Sequence, residues 1–202
     1  MSRSIDKEAR KEQLAEAVWQ VILEKGIGAV SVRTVAEQAG LVVGSLRYIF
    51  PTRTELLNFS AELMVDRATQ RVLATPRNDN PEQFAFEVVK RLLPLEPDSR
   101  AELEVNLALV GECPAQPSLI DIRNHAHRQL GEAIIQLVHL LTETTERDDA
   151  IVSTARRLHA LVDGLALHLL HADPTDNQWA LDLIQQEITL IAHDPSLGDQ
   201  VR

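Results

Sequence analysis

Apolar residues recur along this chain at three- and four-residue intervals from Leu14 to Ile191. The two-residue alternation of a half-buried strand is absent, so the pattern predicts an all-α fold of about nine helices. The first helix, residues 7–25, carries a stripe of Leu14, Val18, Val21 and Ile22 with Trp19 at its edge, and stops at Gly26 and Gly28. Two short helices follow around a tight turn. Ser31 is a good N-cap for the first of them, because its hydroxyl can accept a bond from a first-turn N–H. Val32, Val35, Ala36 and Ala39 then follow helical spacing. Gly40 stops that helix, since the residue after a helix often needs the left-handed conformation. Leu41 is expected to plug the small core from the turn. The second short helix covers residues 42–50, and Pro51 ends it.

Thr52-Arg53-Thr54-Glu55 is a capping box. It opens a helix that reaches about residue 73, with Leu56, Phe59, Leu63, Met64 and Val65 inward. About 20 helical residues span ~30 Å, which makes this helix the candidate lever between the two ends of the molecule. Asn80-Pro81 with Gln83 starts the next helix, with Phe84, Val88 and Leu92 inside. Asp98 is read as the cap of a helix to Gly111 carrying Leu103, Leu107 and Val110. A long helix over 118–142 places Ile122, Leu130, Ile134, Leu137 and Leu141 inside.

The last two helices cover 147–171 and 176–192. Ile151, Ala155, Leu158, Val162, Leu165 and Leu169 form one stripe, and Leu161, Leu167 and Leu170 a second. Trp179, Leu183, Ile188 and Ile191 repeat the pattern in the final helix, with Trp179 expected in the subunit interface. A helix apolar on two sides is buried on two sides. Gly164 inside the first of these helices costs about 1 kcal/mol against Ala, which close approach of another helix would explain. The expectation is a two-fold homodimer through the last two helices.

Helix, glycine-containing turn and helix form the motif that places a second helix in the DNA major groove. Val30-Ser31-Val32-Arg33-Thr34-Val35-Ala36, Ala39-Gly40-Leu41, and the run from Gly44 through Tyr48, Phe50 and Pro51 to Leu56 resemble the N-terminal domain of the TetR family of transcriptional regulators. In addition, Ala160-Leu161-Val162-Asp163-Gly164-Leu165-Ala166-Leu167-His168 is similar to the C-terminal helix of the betaine-pathway regulators of that family. The resemblance implies a three-helix DNA-binding head over residues 1–52 and a helical ligand-binding and dimerisation domain over 53–202. It also implies a repressor that binds a palindromic operator in double-stranded DNA. A small-molecule effector would enter a helical pocket and move the long fourth helix. The runner-up reading is a helical protein-interaction module without ligand control, and the third is a small helical enzyme.

Charge modifies this picture. The chain has 202 residues and a net charge of −10, which by itself argues against DNA. Residues 1–55, however, carry 8 Lys/Arg against 7 Asp/Glu, and the remainder 12 against 23. Phosphates would attract the head's arginines and repel the acidic remainder, orienting the molecule. Arg3, Lys7, Arg10 and Lys11 form either an arm that reaches phosphates or a solvated terminus. The polar start has no signal-peptide core, no run is long enough for a membrane span, and the single Cys113 has no disulfide partner, so a cytoplasmic protein with no membrane partner is expected.

The expected DNA-binding residues are Ser31, Arg33, Val42, Val43, Ser45, Arg47, Tyr48, Thr52 and Arg53. Arg33 can fork onto a guanine edge or a phosphate. Ser31, Thr52 and Arg53 flank helix starts, where N–H groups and dipoles hold phosphates. Val42 and Val43 replace the polar pair usual in the family. They either pack on thymine methyls or finish the head's core. Arg47, where the family usually has an aromatic, adds charge and a possible guanine contact.

Candidate effector contacts are Phe59, Phe84, Glu102, Asn106, His125, Arg128, His159 and Asp163. With few aromatics outside the head, a full cage for a quaternary amine is not expected, and a hydrophobic or amphipathic metabolite fits better. His125/His127 and His168/His171 are too few ligands for a tetrahedral metal site. No metal, no cofactor and no catalytic residue is expected, because Cys113 lies between prolines without an evident base.

Overall fold

The computed structural model describes residues 2–197, with side chains from Arg10 onward. Among the described residues the fold is all-α. The helices are α1 (Ser2–Lys25), α2 (Val32–Gln38), α3 (Val43–Ile49), α4 (Arg53–Leu73), α5 (Pro81–Lys90), α6 (Pro97–Glu112), α7 (Ser118–Thr142), α8 (Asp149–His171) and α9 (Gln178–Ala192), with a 3-10 turn at Ile27–Ala29. No helix among them is long and apolar enough to cross a membrane. The side chains of Arg3 and Lys7, expected as part of an arm, lie outside the described residues.

Packing divides the chain into two compact units. One holds the residues up to Arg67 together with Ala101–Ala126, and the other holds Ala68–Arg100 together with the residues from His127 onward. The division falls inside α4, α6 and α7 rather than in linkers.

The first unit is built around one apolar cluster. α1 supplies Leu14, Val18, Val21 and Ile22, as its stripe predicts, and α2 supplies Val35 and Ala36. Leu46 of α3, Phe50, and Leu56, Leu57 and Met64 of α4 complete one side. Val105, Leu109, Cys113 and Leu119 close the other. Trp19 covers the edge, donating its indole N–H to the Ser60 carbonyl at 3.2 Å. The Arg67 guanidinium lies 5.2 Å over that indole and pairs with Glu16 at 2.7 Å.

In the second unit α8 buries Ile151, Ala155, Leu158, Val162, Leu165 and Leu169, all of its predicted inner stripe. They pack in a core with Ala85, Val88 and Val89 of α5, Ile134, Leu137, Val138 and Leu141 of α7, and four residues of α9. Polar ties fix the helices at their rims. Thr189 donates to Glu82 at 2.8 Å, joining α9 to α5, and Arg157 pairs with Glu187 at 2.7 Å, joining α8 to α9. Arg100 donates to the carbonyls of Leu170 and Ala172, satisfying acceptors that the end of α8 leaves open.

Two helices turn differently from their predicted phase. α6 buries Val105 and Leu109, while Leu107 and Val110 are exposed and Leu103 is half-buried. Leu103, Val105, Leu107, Ala108, Leu109 and Val110 spread around the axis, so spacing alone selects no face. The helix also starts at Pro97, and Ser99 rather than Asp98 makes the capping bonds, with the N–H and C=O of Glu96. In α9 the inner positions are Ala180, Ile184, Ile188 and Ile191. Leu183 is exposed together with Leu190 and with Trp179, the residue expected at the subunit interface. In α5, Phe84 is half-buried and Ala85 takes the inner place.

The new phase of α6 yields a direct check. Leu109→Ala should cost about 2–5 kcal/mol through cavity formation. Leu107→Ala should cost about 1 kcal/mol or less. Urea denaturation of the two variants would show equal losses if the phase were wrong.

Candidate nucleic-acid interface

Local chemistry shapes the head. Ser31 caps α2 by accepting from the Thr34 N–H at 3.1 Å, while Thr34 Oγ1 accepts from the Ser31 N–H at 2.9 Å. This reciprocal box uses Thr34 where Glu or Gln is usual. Thr34 Oγ1 also lies 2.7 Å from the Ala29 carbonyl, tying α2 to the turn before it. At the far end Gly40 adopts φ +66°, and the Leu41 N–H closes back on the Ala36 carbonyl at 2.8 Å. Leu41 packs half-buried against the core, as expected of a plug.

α3 is seven residues long, and Leu46 is its one buried residue. Ser45, Arg47 and Tyr48 therefore stand in solvent, Tyr48 with 86% of its surface exposed. The two valines separate. Val42 is 76% exposed at the N-cap, whereas Val43 is half-buried against the head's core. Arg33 is exposed in the first turn of α2. Exposed guanidinium groups, a phenol and a bare methyl pair on two short helices can meet phosphates, base edges and thymine methyls.

The remaining predicted contacts have partners within the unit. The Ser31 hydroxyl serves its own cap. Thr52 accepts from the Glu55 N–H and its N–H donates to the Glu55 carboxylate, both at 3.2 Å. Arg53 turns inward: Nε donates to the Val30 carbonyl at 3.0 Å, Nη2 to the Ile27 carbonyl at 3.1 Å, and Nη1 pairs with Glu112 at 2.7 Å. Its guanidinium, expected beside a phosphate, sits among acceptors of its own chain. Arg10 is exposed, and the Lys11 ammonium lies 5.4 Å over the Phe59 ring.

The expected effector residues divide between the units. In the first, Phe59 packs on Phe50 with ring centroids 5.2 Å apart, Glu102 is half-buried, and Asn106 and His125 are exposed. In the second, Phe84 is covered by the Arg77 guanidinium at 5.0 Å, and Arg128 is exposed. There the structure brings His159 and Asp163 together with a residue that the spacing did not select. The buried His159 ring stacks on His127 at 4.9 Å. Its Nε2 has no hydrogen-bond partner, and Asp163 Oδ2 stands 3.6 Å away, just too far for one. Sequence paired His127 with His125, but residues two apart on a helix do not share a face. Burial pushes the His159 pKa below the ordinary histidine value. The Asp163 charge opposes that shift and His127 adds to it.

Residues 14–58 match the family described as bacterial regulatory proteins, tetR family. Residues 81–193 match the C-terminal domain of BetI-type transcriptional repressors. The HTH-type transcriptional regulator PksA of Bacillus subtilis (strain 168) is 33% identical over 174 residues, covering 84% of this chain and 83% of that protein. A transcriptional regulator from Rhodococcus sp. RHA1 superposes with a TM-score of 0.77 at 27% identity, over 90% of this chain and 95% of that one. A regulator from Saccharomonospora viridis, solved in complex with choline, does so with 0.74 at 23% identity, over 93% and 97%. At that identity the last match speaks for the fold alone.

The His159 environment makes a pH prediction. In the unfolded chain this imidazole takes up its proton near pH 6.5, and in the folded chain only at lower pH. Between the two values the unfolded state holds more protons, so stability should fall as the pH drops through that window and level off beneath it. Urea midpoints between pH 7.5 and 5 should show the fall, and His159→Gln should flatten it. An unchanged slope in the variant would assign the effect to another group.

Proposed function

The chain belongs to the TetR family of bacterial transcriptional regulators, and from that premise we propose that it is a homodimeric repressor, released from a palindromic operator by a small molecule. It is a DNA-binding regulator and not an enzyme. In this reading residues 1–52 bind DNA and residues 53–202 receive the ligand and form the dimer. That is a division by task, where the two compact units are a division by packing.

One observation carries the dimer. α8 and α9 bury one face in their own unit and leave a second apolar face outside it. Leu167, Trp179, Leu183 and Leu190 are exposed, Leu190 by 57%. A methyl group placed on Gly164 would meet nothing within 4 Å in the chain beyond its immediate neighbours. Such a face is an expensive thing to leave in water, and a second copy related by a two-fold axis would cover both. Two heads on that axis would address half-sites about 34–36 Å apart, or a multiple of this. Arg33, Val42, Ser45, Arg47 and Tyr48 are the contacts this reading favours, because they are exposed and their side chains have room to reach a groove. Val43 contributes to the head's core.

The match to BetI-type repressors supports repression. The choline found in the Saccharomonospora regulator raises the question of a quaternary amine. Here Phe84 is already covered by Arg77, and Phe59 by Phe50 and Lys11. A hydrophobic or amphipathic metabolite remains the better fit, with His159 and Asp163 the polar pair to orient it.

Selection from random duplex DNA should return a palindrome. Arg47→Ala should weaken binding to it by about 1–3 kcal/mol if the guanidinium reads a base. Val42→Ser should relax preference at one thymine step, while Val43→Ser should lower stability instead. No preferred duplex would point to the protein-interaction alternative. Sedimentation should give a dimer at micromolar concentration, and Leu183→Glu should shift it toward monomer. A wild-type monomer would remove the dimer from the proposal.

A further inference from the structure

We infer that Glu112 and Arg53 are positioning residues for the DNA-reading helices, with Arg53 acting from inside the head rather than on a phosphate. This rests on the DNA-binding role of the head. Arg53 is the first residue of α4 and Glu112 the last of α6. One guanidinium joins both to the backbone between α1 and α2, through the carbonyls of Ile27 and Val30. Val30 directly precedes Ser31, the cap of α2. From the other side Thr34 Oγ1 lies within hydrogen-bond distance of the Ala29 carbonyl. The short segment that sets the angle of α2, and with it of α3, is thus held from both sides.

Three features favour positioning over a phosphate contact. All three guanidinium nitrogens have acceptors, in a planar fork that lysine cannot copy. The pair is partly shielded from water, with the Arg53 side chain 32% exposed and that of Glu112 17%. An acid at the C-terminal end of a helix opposes the helix dipole, so Glu112 is poorly placed for α6 alone and well placed for Arg53. The start of α4 needs no help, since Thr52 and Glu55 cap it mutually.

The test measures affinity for the duplex selected by the wild type across a salt series. Arg53→Lys keeps the charge and loses the fork. It should weaken binding tenfold or more with the slope of log affinity against log salt unchanged. Glu112→Ala should weaken binding in the same way, and Glu112→Gln, which keeps an acceptor for Nη1, should recover most of the loss. The double variant Arg53→Lys with Glu112→Ala should bind no worse than Arg53→Lys alone. Thermal melting checks that each variant folds, and Glu112→Gln carries the comparison if Arg53→Lys does not. A phosphate contact predicts near-normal binding for Arg53→Lys, and for Arg53→Gln a slope shallower by about 0.9 per head. That result, or wild-type binding by Glu112→Ala, would overturn the inference. A wild type that prefers no duplex would instead overturn the DNA-binding reading itself.

Discussion

A seven-residue helix has almost no stability of its own, because isolated helices shorter than about 12–15 residues are marginal in water. α3 therefore exists only where the head's core holds it, and the hold is a single fully buried side chain, Leu46. Val43 and Ile49 lean half-buried on the same cluster. A core that gripped the helix on two faces would leave nothing free to enter a groove. One gripped face leaves Val42, Ser45, Arg47 and Tyr48 outward. The cluster under Leu46 draws on α1, α2, α4 and α6, and Leu119 of α7 joins it.

Electrostatics adds orientation to that geometry. The net charge of −10 would repel DNA if it were spread evenly, but the acids lie mostly beyond residue 55. The head's exposed cations include Arg33 and Arg47 on the two short helices. Arg53 is withdrawn into the unit by Glu112 and two carbonyls.

In the second unit α8 and α9 face a different constraint. Each is apolar on two sides, and one chain can bury only one of them. The inner faces make the core from Ile151 to Ile191, and the outer faces carry leucines and a tryptophan into water. An exposed apolar face of this kind is what the proposed two-fold dimer would cover.

Much of the fold is legible in the sequence because it is local. The Ser31 cap, the Thr52–Glu55 box, the Asn80 cap and the left-handed Gly40 all depend on groups within three or four residues. The stripe of α8 was readable for a related reason, since Ile151, Ala155, Leu158, Val162, Leu165 and Leu169 follow helical spacing without a break. What the sequence left open, the tertiary structure decided, because it turns on which distant residue arrives. Apolar residues on several sides of α6 and α9 permit more than one phase, and neighbouring helices chose between them. Nothing local to Arg53 announced Glu112, 59 residues away, as the partner of its guanidinium. His127 stands two residues from His125 in the chain, and the fold stacks it on His159. Val42 and Val43 are chemically identical neighbours. Only the position of the core beneath α3 sends one into water and the other toward the interior.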